Sequence, residues 1–183
     1  MHGIVTLLDE KHHTKVKHLW QILEAECGLR GIQVTPIPHF SWQVAQDYKY
    51  EQLSLILEEV SRQAVPFKVN TGGIGIFTGE VPVLYISVVK NLHMLQMHEK
   101  LWRETYNAGI NINLMYNPEK WMPHITVAYG DVNQDTLRCA IGKLAFQIFN
   151  WEFQVDNLAV ISQPDGGVGQ QSLFYRFGED PVT

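Results

Sequence analysis

Two hydrophobic periods alternate along this chain. Gly3–Leu8 is an apolar run of strand length, and from Thr14 to Cys27 the residues Val16, Leu19, Trp20, Leu23 and Cys27 recur at helical spacing until Gly28 stops them. Leu53, Ile56, Leu57 and Val60 trace a second amphipathic helix, closed by Pro66. Phe67–Asn70 and Val83–Val89 then read as strands. Leu92, Leu95, Trp102 and Tyr106 mark a third helix that ends near Gly109. Asn133 or Asp135 can cap a fourth, which carries Leu137, Ile141, Leu144 and Ile148. Glu152–Ile161 and Ser172–Phe177 read as strands around a glycine-rich turn. Each half thus brings two helices, a duplication at coarse grain.

The duplication is sharper in two strands. Pro38-His39-Phe40-Ser41-Trp42-Gln43-Val44-Ala45 and Pro123-His124-Ile125-Thr126-Val127-Ala128-Tyr129-Gly130 each read proline, histidine, apolar, hydroxyl, apolar. Successive side chains of a strand point to opposite faces. His39 and Ser41 therefore share one face, with Gln43 beyond them, while Phe40, Trp42 and Val44 can bury on the other; His124 and Thr126 repeat this against Ile125 and Val127. A further triplet, His12-His13-Thr14, opens a helix and is read as coincidence. If the halves are related by an approximate twofold axis, the two strands face each other across a cleft, and a phosphate there meets one imidazole from each side.

That pairing suits phosphodiester chemistry. Hydrolysis needs a base for water and an acid for the departing oxygen, and histidine, whose ordinary pKa lies near 6.5, serves as either. Ser41 and Thr126 would hold the non-bridging oxygens. Gln43, Trp121 and Tyr129 are candidate substrate contacts, with an aromatic face for a nucleobase the attraction of the last two. His124 is taken as base and His39 as acid, although the order depends on a substrate orientation that the sequence leaves open.

Charge and composition narrow the substrate. A net charge of −5 over 183 residues argues against a long nucleic-acid groove, since Lys and Arg contacts supply most non-specific affinity for a polymer. A small phosphorylated ligand or one RNA end remains. With 45% hydrophobic residues the chain can build the core of one domain, or of two small lobes sharing one. No run approaches a bilayer span and none resembles a signal peptide, so neither a membrane partner nor export is expected. Cys27 and Cys139 are the only cysteines, outside any Cys-x-x-Cys unit, and are expected as free thiols in a reducing cytoplasm.

Other constellations are weaker. Thr71-Gly72-Gly73-Ile74-Gly75 lacks the Lys-Ser/Thr of a phosphate loop and reads as a tight turn. His93 and His98 are five residues apart, off a common helical face, and read as surface histidines. A zinc site from His39, His124 and Asp131 is conceivable, but no local spacing supports it, and no metal or other cofactor is expected.

With both motifs in view, the chain resembles the 2H phosphoesterases, which include RNA 2′,3′-cyclic phosphodiesterases also called 2′-5′ RNA ligases. Gly73-Ile74-Gly75-Ile76-Phe77 followed by Val83-Leu84-Tyr85 is similar to a Gly-x-Phe turn between that family's motifs. The resemblance spans nearly the whole chain. It implies an α+β fold over residues 1–183, a single bilobal domain with two antiparallel sheets lining a central cleft and helices packed outside. It also implies two catalytic histidines, Ser41 and Thr126 on the phosphate, and no metal. Tyr129 stands where the ligase-like branch often has Arg. The expected activity is metal-independent cleavage of a 2′,3′-cyclic or 2′-5′ phosphodiester of a nucleotide or RNA end by a monomer, with 2′-5′ ligation as its reverse. The alternative is a non-catalytic module that binds a nucleotide or RNA end in the same cleft.

Overall fold

Helix ends fall where side chains can satisfy the free backbone groups. Asp9 accepts from the His12 amide ahead of α1 (Glu10–Cys27), which Gly28 closes in the left-handed conformation at φ 73°. Asn91 caps α3 (Leu92–Thr105) by accepting from the Met94 amide. Asn133 forms a capping box with Thr136 at the start of α4 (Gln134–Leu144). The remaining helix, α2, spans Tyr50–Gln63. The structure, a computed structural model, describes residues 1–164 and 166–179.

The strands are β1 (His2–Leu7), β2 (His39–Tyr48), β3 (Phe67–Phe77), β4 (Val83–Val89), β5 (Gly109–Ile112), β6 (His124–Ala128), β7 (Glu152–Val155), β8 (Asn157–Ser162) and β9 (Gln170–Arg176). They pair antiparallel in the order β7-β3-β4-β6-β2-β1-β8-β9, with β5 on the edge of β2. The two sheets implied by the resemblance are therefore halves of one curled sheet, joined between β2 and β6 by a single residue pair, Phe40 and Ile125. The two motif strands meet at the centre of the molecule and diverge from there.

The repeats exchange their helices. α1, which follows β1, packs on α4 and β6, whereas α3, which follows β4, packs on α2 and β2. Each motif strand is thus backed by the other repeat's helix. Phe40, Trp42, Trp121 and Ile125 are fully buried between sheet and helices, in a core cluster that draws on both halves. Burying one such side chain is worth about 1.5–3 kcal/mol.

Several sequence expectations change here. Thr71–Gly75 is not a turn but the bulged middle of β3, with Gly73 at φ 94° and Gly75 lying flat under the Tyr85 ring, where a Cβ would collide with Cζ. The buried face of α3 is Met94, Met97, His98, Leu101 and Thr105, and Leu92 and Leu95 are exposed. Apolar residues on several sides of that helix had left its phase open. Ile148 is exposed beyond α4, Asp156 divides the long predicted strand into β7 and β8, and β5 carried no readable pattern. Within the glycine-rich turn predicted before β9, Asp165 lies outside the described residues.

The cysteines are not free. α1 packing on α4 brings Cys27 and Cys139 to a Cα separation of 5.7 Å, and they form a disulfide. With a sequence separation of 112, nothing local in the sequence announced the pairing. Two free thiols can therefore no longer speak for a reducing cytoplasm. Among the described residues no helix is long and apolar enough to cross a membrane.

Candidate active site

A β-bulge in each motif strand decides what the cleft contains. Against β1, His39, Phe40 and Ser41 pair with Leu7, Thr6 and Val5, but Ile4 then pairs with Gln43, leaving Trp42 as the extra residue. Against β4, Thr126 pairs with Tyr85 and Ala128 with Leu84, leaving Val127 over. A bulge reverses the alternation of faces beyond it. Lining the cleft are accordingly His39, Ser41 and Val44 from β2, and His124, Thr126 and Tyr129 from β6 and its continuation.

Gln43 is the casualty of that reversal. It is 1% exposed and turned away from the cleft, where its Oε1 accepts from the Tyr48 and Thr105 hydroxyls, each at 3.2 Å. It is not placed to touch a substrate. Trp121 reaches the cleft wall, but its ring is 1% exposed and stacked on His98 at 3.8 Å and Trp42 at 5.2 Å, so no face is left for a base. Tyr129 stands half exposed at the rim, free to stack. His98 is no surface residue: it is buried, with Nε2 donating to the Trp42 carbonyl at 3.0 Å.

The two motif histidines are held alike. His39 Nδ1 lies 2.5 Å from the Ile37 carbonyl, and His124 Nδ1 lies 2.7 Å from the Met122 carbonyl. A carbonyl only accepts, so in both rings the proton of the neutral form sits on Nδ1 and Nε2 keeps its lone pair for the cleft. The prolines between, Pro38 and Pro123, fix the backbone that curls each carbonyl under its ring. Indole N–H groups take up the carbonyls of the hydroxyl residues: Trp121 donates to Ser41 at 2.9 Å and Trp20 to Thr126 at 3.1 Å. Around His124, Phe77 packs edge-on at 4.8 Å and itself stacks on Tyr85.

Burial depresses both imidazoles. Loss of solvent lowers His39 to about 4, opposed by its bond to Ile37 and aided by repulsion from His124. His124 is lowered too, chiefly by burial, with its Met122 bond opposing. The larger depression falls on His39. Two neutral imidazoles and two hydroxyls around one cleft of about 680 Å³ can accept a proton, donate one once charged, and hold an anion between them.

The zinc constellation does not assemble. Asp131 Oδ2 accepts from the amides of Arg30 at 2.5 Å and Gly31 at 2.8 Å, bracing the loop after α1. Among the described residues no group of three His, Cys, Asp or Glu is placed to hold a metal.

The model of the 2'-5' RNA ligase superfamily matches residues 11–167, most of the chain. The chain belongs to that superfamily, the 2H phosphoesterases. Solved structures agree on the fold. TT0787 of Thermus thermophilus superposes at a TM-score of 0.66 with 17% identity, 97% of each chain being covered. E. coli LigT complexed with 3'-AMP gives 0.60 at 13% identity, over 97% of this chain and 98% of that one. Kluyveromyces marxianus Usb1 with uridine monophosphate gives 0.51 at 12%, over 96% and 98%. No curated protein sequence matches significantly. Membership places the chain among phosphoesterases and RNA-ligase-like enzymes.

The sequence reading missed Trp20 and Lys120, and the role of Phe77. Trp20 looked like one more core position of a helix, and an indole bond to a strand distant in sequence leaves no local trace. Phe77 was visible only as part of the Gly-x-Phe resemblance. Lys120, four residues before His124, lines the cleft and could have been found from that spacing.

Proposed function

We propose that this protein is a metal-independent phosphoesterase that opens a 2′,3′-cyclic or cleaves a 2′-5′ phosphodiester of a nucleotide or RNA end, with His39 and His124 as its proton-transfer pair. The observation that carries this reading is the matched Nδ1 bonding of the two rings, which commits both Nε2 atoms to one cleft beside two hydroxyls.

In the proposed reaction one Nε2 takes a proton from water as the water oxygen bonds to phosphorus. The bond from phosphorus to the ribose oxygen breaks, and the second imidazolium gives its Nε2 proton to that oxygen. Ser41 and Thr126 bind the non-bridging oxygens as charge develops. With a 5′-hydroxyl in place of water as the nucleophile on a 2′,3′-cyclic phosphate, the same transfers bond its oxygen to phosphorus as the ribose 3′ oxygen leaves protonated, forming a 2′-5′ linkage. The electrostatics favour the opposite order of roles from the one taken from sequence. His39, held lower, is the better neutral base, and His124 keeps a proton to higher pH and serves as acid. Tyr129 supplies the face for a base.

The test is turnover of 2′,3′-cyclic nucleotides in EDTA. Wild-type protein is expected to be active, and His39→Ala and His124→Ala each to lose at least about 10²-fold. A phosphodiester with a p-nitrophenolate leaving group, which needs no acid, should restore much of the loss in His124→Ala and little in His39→Ala. Binding without turnover would make the cleft a recognition module, and activity regained only with added zinc or manganese would make the reaction metal-dependent.

A further inference from the structure

The cleft departs from the charge of the chain around it. Asp and Glu number 19 against 14 Lys and Arg, yet none of the described residues lining the cleft is acidic. Elsewhere the cations are largely engaged: Lys68 with Glu152, Lys143 with Glu26, Arg138 with Asp135, Arg176 with Asp156. Lys120 is the one Lys or Arg among the described residues lining the cleft, and it forms no ion pair with any of them.

Its mount is firm although its stem is not. The Lys120 amide donates to Asn117 Oδ1 at 2.9 Å and to the Asn117 carbonyl at 3.0 Å. The next residue, Trp121, is pinned by its indole bond to Ser41 and by Lys90 Nζ donating to its carbonyl at 3.1 Å. Lys120 also breaks the symmetry of the site. It stands four residues before His124, and the position four before His39 is Thr35, an uncharged cleft residue whose hydroxyl donates to Gln163. A group at the centre, between two like imidazoles and two like hydroxyls, gives no reason for a lysine beside one motif and not the other.

We infer that Lys120 determines specificity by receiving a second anionic group of the substrate, a terminal phosphate on the His124 side of the phosphodiester under attack. This rests on the function proposed above. An exposed lysine without a carboxylate partner, at the lining of the cleft, forms a charge-assisted bond to phosphate at little cost in competing interactions.

The test compares a nucleoside 2′,3′-cyclic phosphate bearing a 5′-hydroxyl with the same compound bearing a 5′-phosphate. Wild-type protein should prefer the 5′-phosphate by about 10- to 100-fold in kcat/KM, through KM. Lys120→Met should lose that preference with kcat nearly unchanged, Lys120→Arg should retain most of it, and added salt should shrink it. An equal loss on both substrates in Lys120→Met would mean that the ammonium serves the scissile phosphate, and the inference fails; absence of any preference in wild type overturns it as well. If neither compound is turned over, the proposed function fails separately. Calorimetric binding of a nucleoside 3′-monophosphate and 3′,5′-bisphosphate to wild type and Lys120→Met then decides the Lys120 question, and equal affinities would overturn it.

Discussion

Tautomer and proton affinity decide what each histidine can do. Both Nδ1 atoms are spent on carbonyls two residues back, so neither ring can turn without leaving a polar group unpaired. The pKa directions then set a pH dependence. As the proposed base, His39 must be neutral, which holds above about 4; as the proposed acid, His124 must be protonated, which holds only below a value itself depressed from 6.5. In kcat/KM, which reports the free enzyme, the optimum should lie on the acid side and fall as pH rises through roughly 6 to 8. A profile that climbs over that interval would contradict the assignment. Single residues were legible in the sequence only in part: His39, Ser41, His124 and Thr126 could be placed because they precede the bulges, where strict alternation still holds. Gln43 was misplaced because a bulge is a matter of pairing with another strand, and Trp121 because an exposed-looking position before a motif became the stacking partner of His98.

Elements behave differently from residues. Helix starts at Asn133 and stops at Gly28 could be read because a cap is a local device. What the helices pack against could not, since α1 and α3 each cross to the other repeat's strand. The disulfide belongs to the same class of non-local fact. It ties the end of α1, just before the loop that Asp131 braces and that lines the cleft, to α4. Because the bond closes so long a loop, Cys27→Ser with Cys139→Ser should lower unfolding free energy by about 2–4 kcal/mol, measured by denaturant titration. An unchanged midpoint, or two reactive thiols in the folded unreduced protein, would contradict the bond.

For the whole molecule, the two motif strands pair at Phe40 and Ile125 beside the cleft that both line, and seven of the fourteen lysines and arginines lie away from it in ion pairs of their own. On the proposed function, a protein built this way grips an end, not a polymer. Affinity for a dinucleotide and for a twenty-nucleotide RNA with the same cyclic-phosphate end should be similar, with a salt slope that corresponds to roughly one to three contacts in each case. A far tighter, steeply salt-dependent hold on the longer RNA would mean that surface lysines and arginines form a track.

The central claim is that one phosphate sits between the two repeats, addressed by both imidazoles. A crystal structure with a nucleoside 2′- or 3′-monophosphate bound tests it most directly. The phosphate oxygens are predicted within about 2.6–3.2 Å of both His39 Nε2 and His124 Nε2, with the Ser41 and Thr126 hydroxyls on the remaining oxygens. A phosphate held by one histidine alone, or bound outside this cleft, would contradict the account.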